Sequence, residues 1–599
     1  MWRRFFSHPW CIPMLALLGM LVTAPTFNVG LVGDDYIHRN LLIGDASQPH
    51  PGAFFGLFTF VDGQAEHIQA LKEAGRVQWW AADHLKLSFW RPLTELTQWL
   101  DYQLWPDSPV MLHVHSICWY GLLVFLLARL YRMFDADPVR TGMATLIFAF
   151  SSLHLFIVAW LAARNQLVAA CFAVATIMAY HQWRSQGSKL HAGLALLTLT
   201  LGLLSAEAAI ATVGYLVAYA LVYEQGKAWP RRLLALLPFL VIVVAWRMAY
   251  THMGYGSSGS GAYIDPGANL PRFGMALLMR LPTLLLAQLF GASASVFNQL
   301  PYQTKLLYAA GAGLTVLLCI GVGQYFKLWA SRQARFFALG ALFALVPVCA
   351  AEPSDRLLLN AEIGLSAVFA ALFTQFAATR RQYSGPVSWS AKTLVGLMML
   401  VHLIVMPLMS TGTAIVMARM MKPTTHDEPL SLPDAGLDSP QHIILLNPPA
   451  PMLLYYYPAI RSYFGLHSAA SMQALAAGIQ DLTLTVLDDH TLRLSGTRGI
   501  GDAMSRDFQS LPFKPGDIVH AGPFDVTVDE VTPEGMVSVA RFHFAEPIGD
   551  ATGHTSLHFY AWGNEEGGYV PLKLPAPGQS MPVSKVDLSK LVKRALKGQ

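Results

Sequence analysis

Ionisable side chains at the ends of long apolar runs are costly to place beside hydrocarbon, and they often mark function. The sequence has five such places: the pair Asp34 and Asp35, Arg91 in Phe89-Trp90-Arg91-Pro92-Leu93, Arg164 in Trp160-Leu161-Ala162-Ala163-Arg164-Asn165, Glu207 in Ser205-Ala206-Glu207, and Arg356 in Ser354-Asp355-Arg356-Leu357. Carboxylates together with several arginines suit a reaction in which a hydroxyl loses its proton and a negatively charged group departs. Such chemistry needs no ATP, which fits a site outside the cytoplasm. Taken singly, an Arg at the end of an apolar run is more often a snorkelling interface residue than a ligand. The weight therefore rests on the set, whose members are spread over four loops.

The elements that must position these groups are membrane spans. Of 599 residues, 54% are hydrophobic and only 13% charged, about half the charge density of an ordinary soluble domain, which excludes a soluble enzyme. A net charge of +4 is too even to suggest nucleic-acid binding. Apolar runs are expected to cross at 11–32, 112–131, 141–161, 166–182, 190–206, 208–223, 233–250, 304–326, 336–351, 360–378 and 393–417, about eleven spans in all. The run 273–291 is interrupted by Arg280 and Pro282 and is expected to lie on the outer surface. With that choice the basic clusters Arg132 with Arg140, Arg184 with Lys189, Lys227 with Arg231 and Arg232, Lys327 with Arg332 and Arg335, and Arg380 with Arg381 all share the side of Arg3 and Arg4, as cytoplasmic positive charge requires. The N-terminus is then cytoplasmic, while all five candidate places and the C-terminal segment are extracytoplasmic. An inner (plasma) membrane is the expected location.

Residues 1–420 form the membrane domain, with 33–110 as a long first periplasmic loop whose Trp79, Trp80 and Trp90 are expected at the membrane surface. Beyond a linker, 425–599 carries β-prone segments at Ile443 to Leu446, Leu482 to Leu487, Thr491 to Leu494, Val526 to Val531 and Val537 to Phe544, separated by turn residues. The fold class is thus an α-helical polytopic membrane protein with a C-terminal β-rich α+β soluble domain. The tail from Lys585 sets apolar residues at helical spacing opposite basic ones; it either lies on anionic lipid or docks on its own domain. Cys11, Cys118, Cys171, Cys319 and Cys349 lie in or beside apolar runs and read as small core residues. His113 and His115 are expected to hydrogen-bond within the bundle. Gly254-Tyr255-Gly256-Ser257-Ser258-Gly259 fits GxGxxG but lacks the strand and helix that a dinucleotide site needs, and reads as a flexible loop. Asp488-Asp489-His490 reads as a hairpin turn.

The ordered set Gly33-Asp34-Asp35-Tyr36, Phe89-Trp90-Arg91-Pro92-Leu93-Thr94 continuing to Leu112-His113-Val114-His115, Trp160 to Arg164, Leu204-Ser205-Ala206-Glu207 and Ser354-Asp355-Arg356 resembles the landmarks of membrane glycosyltransferases of the GT-C superfamily. The likeness is to the transmembrane part of the TPR-bearing protein O-mannosyltransferases, over about residues 1–420. The chain departs from them in having no tetratricopeptide repeat and in carrying Asn165 where an acid often follows the arginine.

The resemblance implies an inverting glycosyltransferase that moves a sugar from a polyprenyl-phosphate donor to an acceptor hydroxyl outside the cytoplasm, the acceptor being a glycan, lipid or protein. One of Asp34 and Asp35 is then the base, with Asp34 favoured. Arg91, Arg164 and Arg356 would neutralise the departing phosphate, since a guanidinium offers paired donors to its oxygens. Glu207 would orient the acceptor or pair with an arginine, and His113 stands with it as an acceptor-side or structural group. Adjacent carboxylates point different ways, so the second is structural or holds a cation. A divalent metal is compatible with the pair, although two adjacent acids without further ligands are weak evidence for one. Two other classes compete: a transporter or flippase of lipid-linked sugars, which calls for mid-span ionisable groups and inverted repeats, and a non-catalytic assembly protein with a glycan-binding outer domain.

Overall fold

A computed structural model describes residues 2–44, 55–434, 441–549 and 555–597; parts of the first loop, of the linker and of the C-terminal tail lie outside them. The chain divides into two compact units. One is Met1–Gly30, Trp90–Met253 and Ile264–Met417; the other is Leu31–Phe89, Gly254–Tyr263 and Ala418–Gln599.

The first unit is helical. Among the described residues eight helices are long and apolar enough to cross a membrane: Cys11–Asn28, Pro109–Phe134, Leu161–Gln186, Trp229–His252, Leu270–Phe290, Gln303–Tyr325, Asp355–Gln382 and Pro386–Leu430. Two shorter apolar helices, Lys189–Leu203 and Glu207–Val222, accompany them. The chain is thus a polytopic helical membrane protein. The starts and stops follow local chemistry. Pro109 and Pro138 open their helices at the first turn, where the missing N–H costs nothing, and Asp137 accepts from the Val139 amide as a cap. Gly187 ends Arg164–Gln186 in the left-handed region at φ 73°, which a side chain would disfavour.

Against the eleven or so spans expected, the runs 190–206, 208–223 and 336–351 are helices of fewer than 18 residues and are not among the eight, and two further runs differ in form. The run 141–161 is a helix Pro138–Ala149 and a short turn of helix Leu155–Ala159, broken where Ser151 Oγ accepts from the Leu153 amide at 3.4 Å, a local bond that competes with the helical one. In contrast, Arg280 and Pro282 do not interrupt Leu270–Phe290, which is one helix. Residues before, within and after it nevertheless bond to a single stretch. Ile264 N donates to Ala350 O at 2.8 Å, Arg280 Nη1 to Cys349 O at 3.0 Å, Gln288 Nε2 to Leu358 O at 3.1 Å and Ala294 N to Asp355 Oδ1 at 2.7 Å.

The second unit is built on two larger sheets. Six antiparallel strands run in the order Ser580–Val583, Leu482–Asp488, Thr491–Ser495, Val537–Phe544, Phe524–Val531 and Ile518–Ala521. Four more run Gly568–Pro571, Leu557–Gly563, His442–Leu445 and Ser471–Ala474, the last three parallel. Side chains alternate in and out along Leu482–Asp488, the period-2 signature of a half-buried strand. The turn at Asp488 forms as read, with His490 N donating to Asp488 Oδ1 at 2.8 Å.

Segment 31–89 belongs to this unit. Trp79 and Trp80 are each 1% exposed in the same core as Phe513 and Phe542, and Trp79 Nε1 donates to Leu475 O at 3.1 Å. The expectation that they lie at the membrane surface is therefore corrected: the large rings are worth more buried in a β core with the indole N–H satisfied. The glycine-rich stretch is likewise not a free loop, because Gly256–Ser258 pairs with Lys86–Ser88, which pairs with Thr59–Asp62. The helix Leu588–Lys597 docks on its own domain through Leu591 and Ala595, leaving Leu588 and Val592 exposed.

Candidate functional site

Asp34 and Asp35 begin the helix Asp34–Ile43, where carboxylates favour the exposed amides of a first turn. Gly33 precedes them at φ 51°, a conformation that a side chain would strain. The two acids have different partners. Asp35 is 2% exposed and its Oδ2 accepts from Val32 N at 2.9 Å, so it closes the entry to its own helix. Asp34 is 9% exposed and its Oδ1 accepts from the Tyr456 hydroxyl at 2.6 Å. Next along, the Tyr36 hydroxyl donates to Thr425 O at 3.1 Å. Burial pushes that phenol's pKa up, and Tyr463 and the Asp35 carboxylate add to the rise.

In the helical unit, the helix Pro92–Leu104 buries a polar face made of Thr94, Glu95, Thr97, Gln98, Asp101 and Tyr102. Its start is fastened to the turn around Glu207: Leu93 N donates to Leu204 O at 3.1 Å, and Thr94 Oγ1 to Ser205 O at 2.9 Å. Arg91 donates from Nε at 3.0 Å and pairs from Nη2 at 2.9 Å with Glu207 Oε2, while Tyr250 donates to Glu207 Oε1 at 3.3 Å. Glu207 is thus paired with an arginine, one of the two roles expected of it.

Arg164 is fully buried and its donors go to protein groups. Nε donates to Ser116 Oγ at 2.9 Å, Nη2 to Leu112 O at 2.7 Å, and Nη1 pairs with Asp101. The other Asp101 oxygen takes His115 Nδ1 at 2.6 Å, and His115 Nε2 accepts from Trp119 Nε1 at 3.0 Å. An imidazole that accepts at Nε2 must carry its proton on Nδ1, which fixes the tautomer. His113 also bonds within the helical unit, its Nε2 to Gly30 O at 2.9 Å. Arg356 is different. It is half-buried, its guanidinium lies 5.7 Å from the Trp160 ring centroid, and it makes no hydrogen bond or ion pair among the described residues. The neighbouring Asp355 is occupied by Ser293 Oγ at 2.8 Å and Ala294 N at 2.7 Å, so the loop is anchored while the guanidinium keeps its donors.

Asp101 and Tyr456 were not singled out from the sequence, nor was the buried group of Glu362, His154 and Tyr120. Polar residues at 94, 98 and 101, with 95 and 102, share one helical face, and that pattern could have pointed to Asp101. Glu362 Oε2 lies 3.3 Å from His154 Nδ1, and His154 Nε2 lies 2.8 Å from the Tyr120 hydroxyl; an acid inside an apolar span is itself a signal. Nothing local marks Tyr456. Among the described residues no three His, Cys, Asp or Glu side chains gather as a metal-ligand set, so Asp34 and Asp35 have no further ligands there.

No protein-family profile and no curated protein matches the sequence. Among solved structures, the chain is similar to ArnT from Cupriavidus metallidurans bound to undecaprenyl phosphate, at 12% identity and a TM-score of 0.37, over 78% of this chain and 89% of that one. It is also similar to the Archaeoglobus fulgidus oligosaccharyltransferase tethered with an acceptor peptide, at 11% identity and a TM-score of 0.35, over 78% of this chain and 64% of that one. Likeness at this level carries no assignment of residues or substrates.

Proposed function

We propose that the chain is an inverting glycosyltransferase that passes a sugar from a polyprenyl-phosphate carrier to an acceptor hydroxyl on the extracytoplasmic side of the membrane. The observation that carries the reading is the sorting of the three arginines by their partners. Arg164 is committed to Asp101, Arg91 is paired with Glu207, and Arg356 lies over the Trp160 ring with its donors uncommitted. A guanidinium held over a ring at the mouth of a membrane helix, with its donors unspent, can offer a pair of them to two oxygens of a phosphate. Arg356 is the donor-phosphate ligand on this reading, and Arg91, tethered by Glu207, is a second. Arg164 holds the polar helix in place.

Asp34 is the base. It takes the acceptor's proton as the acceptor oxygen attacks the anomeric carbon opposite the phosphate, and the bond to phosphate breaks with its electron pair going to the leaving oxygen. A phosphate departs without protonation, so one carboxylate suffices where glycoside hydrolysis ordinarily uses two. Asp35 keeps the helix entry closed. That Ile264 and Ala294, on either side of Leu270–Phe290, both bond to the stretch 350–355 supports reading this helix as lying along the outer face. Together with basic clusters on the cytoplasmic side, this reading has the second unit outside.

The test uses the full-length protein in nanodiscs, a panel of undecaprenyl-phosphate hexoses as donors, and membranes from cells lacking the chain as acceptor. Arg356→Gln is expected to raise the donor KM about 10- to 100-fold, as loss of a charge-assisted bidentate contact of roughly 1.5–3 kcal/mol implies. An unchanged donor KM would remove Arg356 from the site.

The Glu362–His154–Tyr120 group favours a second reading, a carrier of lipid-linked sugars that moves protons through the bundle. Glu362→Gln separates the two. On the transferase reading it leaves the transfer rate within about threefold, because Glu362 is not a group of the proposed site and a glutamine amide can still bond His154. Loss of donor movement across the bilayer with no transfer in the wild-type protein would favour the carrier.

A further inference from the structure

Three consecutive tyrosines join the 3-10 turn Pro451–Tyr455 to the helix Tyr457–Tyr463. Successive side chains on so tight a turn diverge by about 120°, and the three hydroxyls go three ways. Tyr455 donates to Phe60 O at 2.8 Å. Tyr457 donates to Glu428, buried in the same unit and also bonded by Tyr569 at 3.0 Å. Tyr456, between them, donates to Asp34 Oδ1 at 2.6 Å. The two outer tyrosines therefore fix the turn that aims the middle one.

The Asp34 side is fixed as firmly. A Cβ at Gly33 would lie 3.9 Å from the Tyr456 ring, which rests against the bare backbone. The helix Asp34–Ile43 lies against Tyr457–Tyr463 through an edge-on contact of Tyr36 with Tyr463, ring centroids 5.4 Å apart, and through Arg39 5.0 Å from the Tyr463 ring centroid.

We propose that Tyr456 is a positioning residue for the transfer reaction, and that the C-terminal domain takes part in catalysis by holding the base. This inference rests on the reading of Asp34 as that base. A phenol O–H at this distance makes a short, charge-assisted bond to a carboxylate. A carboxylate has about four lone-pair sites, so one such bond sets the plane of the group and leaves capacity for a proton. In the step itself the acceptor's proton passes to Asp34, and the Tyr456 proton stays on its own oxygen. Without that bond the carboxylate is held less closely in this plane, and misplacement by about 1 Å costs on the order of 100-fold in rate.

The test compares Tyr456→Phe with Tyr455→Phe and Asp34→Asn in the full-length protein, using undecaprenyl-phosphate hexoses and acceptor membranes from cells lacking the chain. Removing the Tyr456 hydroxyl is expected to lower kcat about 10- to 100-fold with the donor KM within about twofold. Tyr455→Phe removes one of the two bonds that fix the same turn and leaves the Tyr456 hydroxyl in place, so it is expected to lower kcat by less than Tyr456→Phe does. Rates are taken per folded protein, measured by thermal melting in the same nanodiscs, so that a loss of fold is not read as a loss of rate. A full rate in Tyr456→Phe while Asp34→Asn is inactive would overturn the inference and leave the functional reading standing. Equal losses in both tyrosine variants, in step with lost folded protein, would overturn it too. Full activity in Asp34→Asn would overturn the reading of the base, and the inference with it.

Discussion

Asp34→Asn is expected to lower kcat for sugar transfer by about 100- to 10,000-fold, the range that a positioned general base supplies, while the folded protein and its donor KM stay close to wild type. Asparagine keeps the shape of the side chain and can still accept from Tyr456 through its amide oxygen, so the neighbouring turn has no cause to move. What is lost is the ability to take a proton. Asp35→Asn is expected to behave differently. Its oxygen caps the Val32 amide at 2.9 Å and the side chain is 2% exposed; an amide oxygen can still accept that bond, so the cost stays below the roughly 0.5–2 kcal/mol of a lost cap and the rate falls little. Paired measurements of kcat and melting temperature for the two variants separate these roles: a large kcat loss in Asp35→Asn with Asp34→Asn unaffected would exchange them.

Arg164→Ala is expected to give the largest loss of stability. It leaves the Asp101 carboxylate, 2% exposed, without its cation, and breaking a buried pair in this way costs about 3–5 kcal/mol. It also removes donors from Ser116 Oγ and Leu112 O, so the ion pair that joins the helix Pro92–Leu104 to Arg164–Gln186 is lost while the bond of Asp101 to His115 still ties it to Pro109–Phe134. Lysine does not rescue, because one ammonium cannot reach three partners set by a planar fork. Replacing both members, as Arg164→Met with Asp101→Leu, is expected to recover much of the folded protein, since apolar substitution of a whole buried pair is often tolerated. Thermal melting and monodispersity in detergent read both outcomes. If Arg164 instead holds the donor phosphate, Arg164→Ala folds normally and shows a raised donor KM.

The sequence carries these features unequally. Spanning helices are legible because about 20 apolar residues admit few other structures, and the strands of the C-terminal region show in their alternation, as along Leu482–Asp488. The break at 150–154 was hidden because hydropathy does not register serines that turn the chain within an apolar run. Trp79 and Trp80 have the composition of an interfacial segment, and only the packing of 31–89 with 418–599 shows them as core. Charge at a span end identified Arg91, Arg164 and Arg356 as one class. Their partners divide them, and partners such as Ser116 or the Leu112 carbonyl leave no mark in composition. Tyr456 meets Asp34 across 422 residues of chain, a separation at which no local pattern can operate.

The central claim is that a sugar leaves a polyprenyl phosphate on this chain. It is tested most directly with purified full-length protein in sealed liposomes, a panel of undecaprenyl-phosphate hexoses carrying label in the sugar, and acceptor membranes from cells lacking the chain. The expected result is that at least one donor yields undecaprenyl phosphate and transferred label in equal amounts, and that Asp34→Asn abolishes both together. Label that crosses the bilayer still attached to its lipid, with no undecaprenyl phosphate released from any donor, would contradict the account.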